Sequence, residues 1–352
     1  MSGIFTGKSW YFPSTFSPKK VDNPSFIHQN IPMIKTLTGK VLEGGLISRN
    51  EALLLAAVDG EESSGLFEGA NRIREAFRGN LIDLCSIINA KSGACPENCA
   101  YCAQSASART DIKTYPLVVP DEVLKAAAAA KDAGAKRFCI VTSGRKPGAM
   151  ELQVIARSIE GVRKAGLLPC ATLGLLSLGE LKFLKNAGLN RYHHNLETSR
   201  RFFPEICQTH TFEEKLATVE AAKDAGLSLC CGGIFGLGEG WEDRVDMALQ
   251  IRQSGADSVP INFLIPVAGT ALGERKILPA LEALKIVSLY RFLLPGKEVR
   301  VCGGSVQCLG EWGHLVFKAG ADGLLIGNYL TKKGGSPEDD LRMIKEQGLI
   351  PS

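Results

Sequence analysis

The chain carries eleven cysteines, and three of them are spaced like ligands. Cys95-Pro-Glu-Asn-Cys99-Ala-Tyr-Cys102 is a C-x3-C-x2-C run short enough to lie on one loop. Three thiolates on one loop can hold three irons of a cubane iron–sulfur cluster, leaving the fourth iron without a protein ligand. A structural zinc site takes four Cys or His ligands in paired short spacings, and a ferredoxin run supplies a fourth cysteine. Neither pattern is completed nearby, so the spacing favours a cluster with one open iron at which a small molecule can react.

Further candidates lie downstream. Cys139, Cys170 and Cys230 stand one in each of three apolar, strand-like runs. A cysteine in a strand is usually a small buried hydrophobe, but one on each of three neighbouring strands can converge on a metal. His193, Asn195 and Glu197 share one parity on a fourth run, and a polar stripe entering an apolar interior needs partners or a ligand to offset its desolvation. For His193 and His194 a satisfied structural histidine is the competing reading. Gly232 and Gly233 close a fifth run, where missing side chains would let a ligand approach the backbone.

These residues need a scaffold that brings strand after strand to one place. A phrase, Ala-Gly or Ser-Gly, recurs at residues 133–134, 165–166, 187–188, 225–226, 254–255 and 319–320, each time between an amphipathic run and a short apolar one. Glycine there suits the left-handed residue that closes a helix, so these are helix-to-strand joints. Strands are expected at 84–88, 137–142, 168–173, 190–195, 227–234, 258–264, 298–302 and 323–326, with helices such as 121–132, 212–224 and 279–294 between them. Eight strands separated by helices of this length imply parallel pairing and a (β/α)8 barrel of the α/β class, with an open doubly wound sheet as the alternative. Residues 44–78 read as helical and outside the barrel, and the first 40 show no clear pattern. The expected division is an N-terminal extension at 1–78 and a barrel at 79–352.

Composition removes other classes. With 352 residues, 45% hydrophobic and 22% charged, the chain is ordinary for a globular protein. Its net charge of +4 is scattered rather than gathered into runs, which does not suggest nucleic acid. The longest apolar stretches fall short of the roughly 18 residues of a membrane span. Residues 1–30 lack the apolar core and cleavage site of a secretory signal, so the cysteines are expected to stay reduced in the cytoplasm and to serve metal or redox chemistry.

The segments Ser92-Gly-Ala-Cys-Pro-Glu-Asn-Cys-Ala-Tyr-Cys-Ala-Gln-Ser105, Arg137-Phe-Cys139, Cys170-Ala-Thr-Leu-Gly174, His194-Asn-Leu-Glu-Thr-Ser199, Cys230-Cys-Gly-Gly-Ile-Phe-Gly-Leu-Gly-Glu239, Ser258-Val-Pro-Ile-Asn262 and Val299-Arg300 resemble the biotin synthase family of the radical S-adenosylmethionine (SAM) superfamily. The resemblance runs from residue 44 to residue 350. It implies that Cys95, Cys99 and Cys102 hold a 4Fe-4S cluster whose open iron is chelated by SAM. It also implies that Cys139, Cys170 and Cys230, with Arg300, hold an auxiliary iron–sulfur cluster that donates sulfur. Dethiobiotin would be the substrate, a reducing protein the electron donor, and a homodimer the assembly. Tyr101, Asn195, Glu197, Lys215, Gly232 and Gly233 would contact SAM, and His193, Asn195 and Asn262 the substrate.

The chain departs from the family's pattern in places. His193 stands where Asn is usual, Glu197 where Asp is, and Lys215 where an arginine is. After Arg300 the family usually reaches Gly-Arg-Glu, whereas this chain reads Val301-Cys-Gly-Gly-Ser-Val-Gln-Cys308. Cys302, two residues beyond Arg300, should share its side of the strand and is either a cluster ligand in place of Arg300 or a small packing residue, while Cys231 should face outward. Two other readings remain: a radical SAM relative of the hydrogenase maturase or methylornithine synthase kind, and a non-enzymatic iron–sulfur carrier.

Overall fold

The computed structural model describes residues 30–330 and 334–352. Its centre is a closed parallel sheet. β1 (Leu81–Lys91), β2 (Arg137–Thr142), β3 (Leu168–Thr172), β4 (Arg191–His193) and β5 (Ser228–Cys230) pair in chain order. β6 (Gly233–Phe235) and β5 both pair β7 (Ser258–Phe263), then come β8 (Glu298–Val301) and β9 (Gly323–Leu325), which pairs back onto β1. β5 and β6 form one stave broken at 231–232, so the sheet has the eight staves of a (β/α)8 barrel. The expected fifth strand at 227–234 is therefore two short strands, and β10 (Ile350–Pro351), pairing the outer part of β1, was not anticipated.

The helix-to-strand joints take the conformation their sequence demands. Gly134, Gly166, Gly188, Gly226, Gly255 and Gly320 all have φ between +70° and +103°, the region where a side chain is penalised. Capping boxes at Ser177–Glu180 and Thr211–Glu214 start the helices that follow. Alternation along β2 sorts its residues between two environments. Phe138 and Ile140 pack into the core shared with the outer helices, whereas Cys139 and Val141 join Cys85 and Cys170 inside the barrel.

Helices Asn30–Leu42, Arg49–Ala57 and Ser63–Arg78 lie outside the barrel. The first falls partly where the sequence shows no pattern, and the expected extension's residues 1–29 lie outside the described residues. Ser63–Arg78 packs on Ala280–Leu293, and Arg49–Ala57 on Trp241–Ser254. One buried charge ties the extension to the barrel. Asp322 accepts from Arg78 Nε (2.6 Å), from the Val299 N–H (2.7 Å) and from Arg291 Nη2. Arg291 is fully buried. Asp322→Ala leaves that guanidinium without a counter-charge, and breaking such a pair costs about 3–5 kcal/mol. The expected outcome is a correspondingly lower unfolding free energy in a urea titration; a loss below about 1 kcal/mol, the scale of an exposed pair, would contradict it.

Candidate active site

The loop after β1, at the C-terminal rim of the barrel, is held shut by its own backbone. The Cys95 N–H donates to the Gln104 carbonyl (3.0 Å), the Ala106 N–H returns to the Cys95 carbonyl (2.7 Å), and the Cys102 N–H closes a turn onto the Cys99 carbonyl (3.0 Å). Ala94 sits at φ +50°, a left-handed conformation that costs a non-glycine residue of order 1–3 kcal/mol and is concentrated at functional sites. The Ala100 N–H is tied to the Ile206 carbonyl (2.8 Å), and the Ala100 carbonyl accepts from Leu272 N–H (3.2 Å). Cys95, Cys99 and Cys102 are half-buried free thiols bordering one cavity of about 420 Å³, a size suited to a small ligand. Burial pushes Cys102 up to about 11, so a metal loaded here displaces a proton. Soft donors of this kind, presented together on a fixed loop beside an open cavity, fit an iron–sulfur cluster with one exposed iron.

Tyr101 borders the same cavity from within the loop. Facing it is the polar stripe. β4 ends at His193, yet the stripe continues through irregular chain: His193 Nε2 lies 2.8 Å from Asn195 Oδ1, and Asn195 Nδ2 donates to Glu197 Oε2 (3.4 Å). Glu197 is the second non-glycine residue at positive φ, +70°, held there by hydrogen bonds to Gly232 and Ile234 backbone. Burial pulls His193 and His194 below the usual histidine range, so both rings are neutral donors and acceptors. His194 Nε2 is buried without a hydrogen-bond partner among the described residues, on a ring that borders the cavity. An orphaned polar atom of this kind costs about 1–3 kcal/mol.

Two expectations change in their physical reason. Gly232 and Gly233 do not border the cavity. A Cβ at Gly232 would come within 2.0 Å of the Pro260 carbonyl oxygen, and one at Gly233 within 2.5 Å of the Glu197 carbonyl oxygen. The glycines let chain pack on chain, and their backbone aims other residues: the Gly232 N–H donates to Asn195 Oδ1 (3.2 Å), and Asn262 Nδ2 donates to the Gly233 carbonyl (3.0 Å). Lys215 borders the cavity, but its ammonium donates to the Asn195 carbonyl (3.0 Å) and pairs with Glu197 at 3.6 Å. It braces the stripe as well as charging the wall.

Deeper in the barrel, Cys139 and Cys170 are register partners on β2 and β3, and Cys230 is the partner of His193 across β4 and β5. All three border the cavity, with Arg300 and Cys302. Burial pushes Cys230 up to about 11 and Cys302 well above the ordinary thiol range. Cys231 lies in the outer core, as its parity requires. Arg300 is committed elsewhere: Nη2 pairs with the Glu298 and Asp83 carboxylates, and Nη1 donates to the Leu324 carbonyl (2.9 Å) and the Asp83 carbonyl (3.1 Å). Arg191 also pairs with Glu298 (3.2 Å), so one buried carboxylate balances two guanidiniums. Sequence reasoning missed Cys85, which joins the inner thiols from β1; its parity with Ile87 in the first strand was the available signal. It also missed Cys207 and His210, which pack against Cys99 from a different loop.

Residues 90–251 match the Radical SAM superfamily model, and residues 260–350 the Biotin and Thiamin Synthesis associated domain. The chain is 48% identical to the biotin synthase of Thermodesulfovibrio yellowstonii over 84% of its own length and 93% of that protein's. It is 48% identical to the biotin synthase of Trichlorobacter lovleyi over 90% and 96%. Among solved structures it is similar to methylornithine synthase, with a TM-score of 0.79 at 20% identity over 90% of this chain and 97% of that one. A maturase of the [FeFe]-hydrogenase gives a TM-score of 0.79 at 20% identity, covering 94% of this chain and 80% of the other. At such identity these two establish the barrel and no more. The identity shared with whole-length relatives, together with a barrel that turns two sets of thiols onto one cavity, places the chain in the biotin synthase family of radical SAM enzymes.

Proposed function

We propose that the protein inserts sulfur into dethiobiotin to give biotin, with Cys95, Cys99 and Cys102 holding the SAM-binding 4Fe-4S cluster and Cys139, Cys170 and Cys230 an auxiliary cluster. The observation that supports it is the placement of two separate thiol sets, one on the rim loop and one on the inner wall, around a single cavity. Held by Cys95, Cys99 and Cys102, a 4Fe-4S cluster would supply the electron for reductive cleavage of SAM, and with it the radical chemistry that sulfur insertion at an unactivated carbon requires.

The chain's residues do the positioning. Glu197 offers acceptors for hydroxyls or ring N–H groups and Asn195 one amide N–H for a ligand acceptor, and their mutual hydrogen bond fixes both side chains before a ligand arrives. Neutral His193 and His194 add hydrogen bonds without a net charge. Asn262, oriented by Gly233 and Gly303, keeps one amide N–H for a carbonyl. Leu264, Ile265 and Val267 line the apolar side of the cavity and keep water from a reactive radical. A maturase-like or methylornithine-synthase-like reaction would not need the inner thiols, and a plain carrier would not need the polar stripe. Anaerobic reconstitution with iron, sulfide, reductant, SAM and dethiobiotin, followed by mass spectrometry, is expected to yield biotin. Formation of 5′-deoxyadenosine without biotin would move the chain to another substrate, and formation of neither would leave the carrier reading.

A further inference from the structure

Beside the rim loop lies a second donor set that sulfur insertion does not use. Cys207 follows the short helix Phe203–Ile206, and His210 comes three residues later. Cys207 Sγ is 3.8 Å from Cys99 Sγ, and it lies 3.3 Å from His210 Nδ1 and 3.7 Å from His210 Nε2; one ligand atom from each of the three residues lies within 4.8 Å of the others. A tetrahedral ion with Zn–S near 2.3 Å and Zn–N near 2.0–2.1 Å separates two sulfurs by about 3.8 Å and a sulfur from a nitrogen by about 3.6 Å. The sulfur pair matches, and the imidazole, whose Nδ1 is the nitrogen nearer Cys207 Sγ, turns to present Nε2 when an ion enters. His210 Nδ1 is 2.6 Å from Glu97 Oε2, so this nitrogen carries the proton and Nε2 keeps its lone pair for a metal. A carboxylate behind a histidine in this way is the usual support of a metal-bound imidazole. Asn98 Oδ1 accepts from the N–H groups of Gln208 (3.0 Å) and Thr209 (3.3 Å), which clamps the Cys207–His210 segment to the rim loop.

We propose that the cluster-free chain binds one thiophilic divalent ion, zinc or ferrous iron, through Cys99, Cys207 and His210, with Glu97 orienting the histidine. Cys99 is shared with the rim cluster proposed above, and on that reading the ion and the cluster exclude one another. The ion would hold the loop and its middle thiol until cluster assembly displaces it, and excess zinc would block assembly.

Cobalt(II) added to the full-length, reduced, iron-stripped protein reports this site, because tetrahedral thiolate coordination gives intense visible ligand-field bands. Metal taken up by the inner-wall thiols is common to wild type and variants and cancels in difference spectra. Cys207→Ala and His210→Ala are each expected to remove one equivalent of tetrahedral cobalt, and Glu97→Gln to weaken that equivalent about 10- to 100-fold. Cys95→Ala and Cys102→Ala should keep it. Prior assembly of the rim cluster should abolish it in the wild type, while Cys207→Ala still assembles that cluster to wild-type iron content, which shows that the variant folds. Unchanged cobalt binding in Cys207→Ala and His210→Ala overturns the site, as does a signal that depends on Cys95 and Cys102 instead. Cobalt bound alongside an assembled rim cluster overturns the exclusion. Failure of the wild type to assemble a rim cluster, with the cobalt results as expected, leaves this site standing and refutes the cluster reading.

Discussion

Replacing Cys95, Cys99 or Cys102 by Ala is expected to reduce 5′-deoxyadenosine formation to the level of a protein-free control. The three thiols are the rim loop's whole set of soft donors, and a cubane held by two of them has lost a third of its protein bonds. Cys207 does not restore the set. It lies against Cys99 rather than Cys95 or Cys102, so Cys99→Ala is the one variant it could compensate, and Cys95→Ala and Cys102→Ala are the sharper tests. The assay is anaerobic reductive cleavage of SAM, read by chromatography, with iron content measured on the same samples. Cleavage retained at a tenth or more of the wild-type rate in Cys95→Ala or Cys102→Ala would contradict the rim assignment. Retention in Cys99→Ala alone would mean that Cys207 has replaced it.

Much of this arrangement was legible because it depends on local rules. The joint glycines announced where helices end, and six of them take positive φ. The parity of His193, Asn195 and Glu197 survived even though β4 stops at His193, because hydrogen bonds to Gly232 carry the chain on beside the next stave. Long-range closure was less accessible. The Gly232-Gly233 pair marked an end of the fifth run, but not why glycine is needed there: a Pro260 carbonyl, 28 positions along the chain, leaves no room for a Cβ at residue 232. Cys207 and His210 were invisible for the same reason, since their partner Cys99 lies more than a hundred residues away. Cys85 could have been found from strand parity alone, but an apolar run hides one more small residue well. Arg300 shows the opposite limit. Its type and place were clear, while its engagement with Glu298 and Asp83 emerges only when β8 and β1 are brought together around β9.

That engagement decides the second large effect, which concerns the inner wall. Cys139→Ala, Cys170→Ala and Cys230→Ala are expected to keep forming 5′-deoxyadenosine but to make no detectable biotin, because their thiols serve the sulfur source and not the radical. Wild-type biotin yield in any of them would refute this role. A fourth ligand must come from Arg300, Cys302 or Cys85. The guanidinium is a poor donor: burial alone would lower its pKa, but the Glu298 and Asp83 carboxylates outweigh that and hold it well above the usual value, it stays protonated, and its N–H groups already point at carboxylates and carbonyls. Among the described residues Cys302, by contrast, has only a long contact from Sγ to the Arg300 carbonyl (3.8 Å), so little is lost when its thiol turns to iron, for which thiolate is the better donor. Cys85 pairs with Leu325 on β9, one residue beyond the Val301–Leu324 pair that precedes Cys302. The two thiols therefore sit at nearly the same level, and each is the matched control for the other. Iron counting and Mössbauer spectra on anaerobically reconstituted wild type, Cys302→Ser and Cys85→Ser are expected to show loss or alteration of the inner cluster in Cys302→Ser alone. A loss confined to Cys85→Ser would move the fourth ligand to β1, and spectra unchanged in both would return it to Arg300.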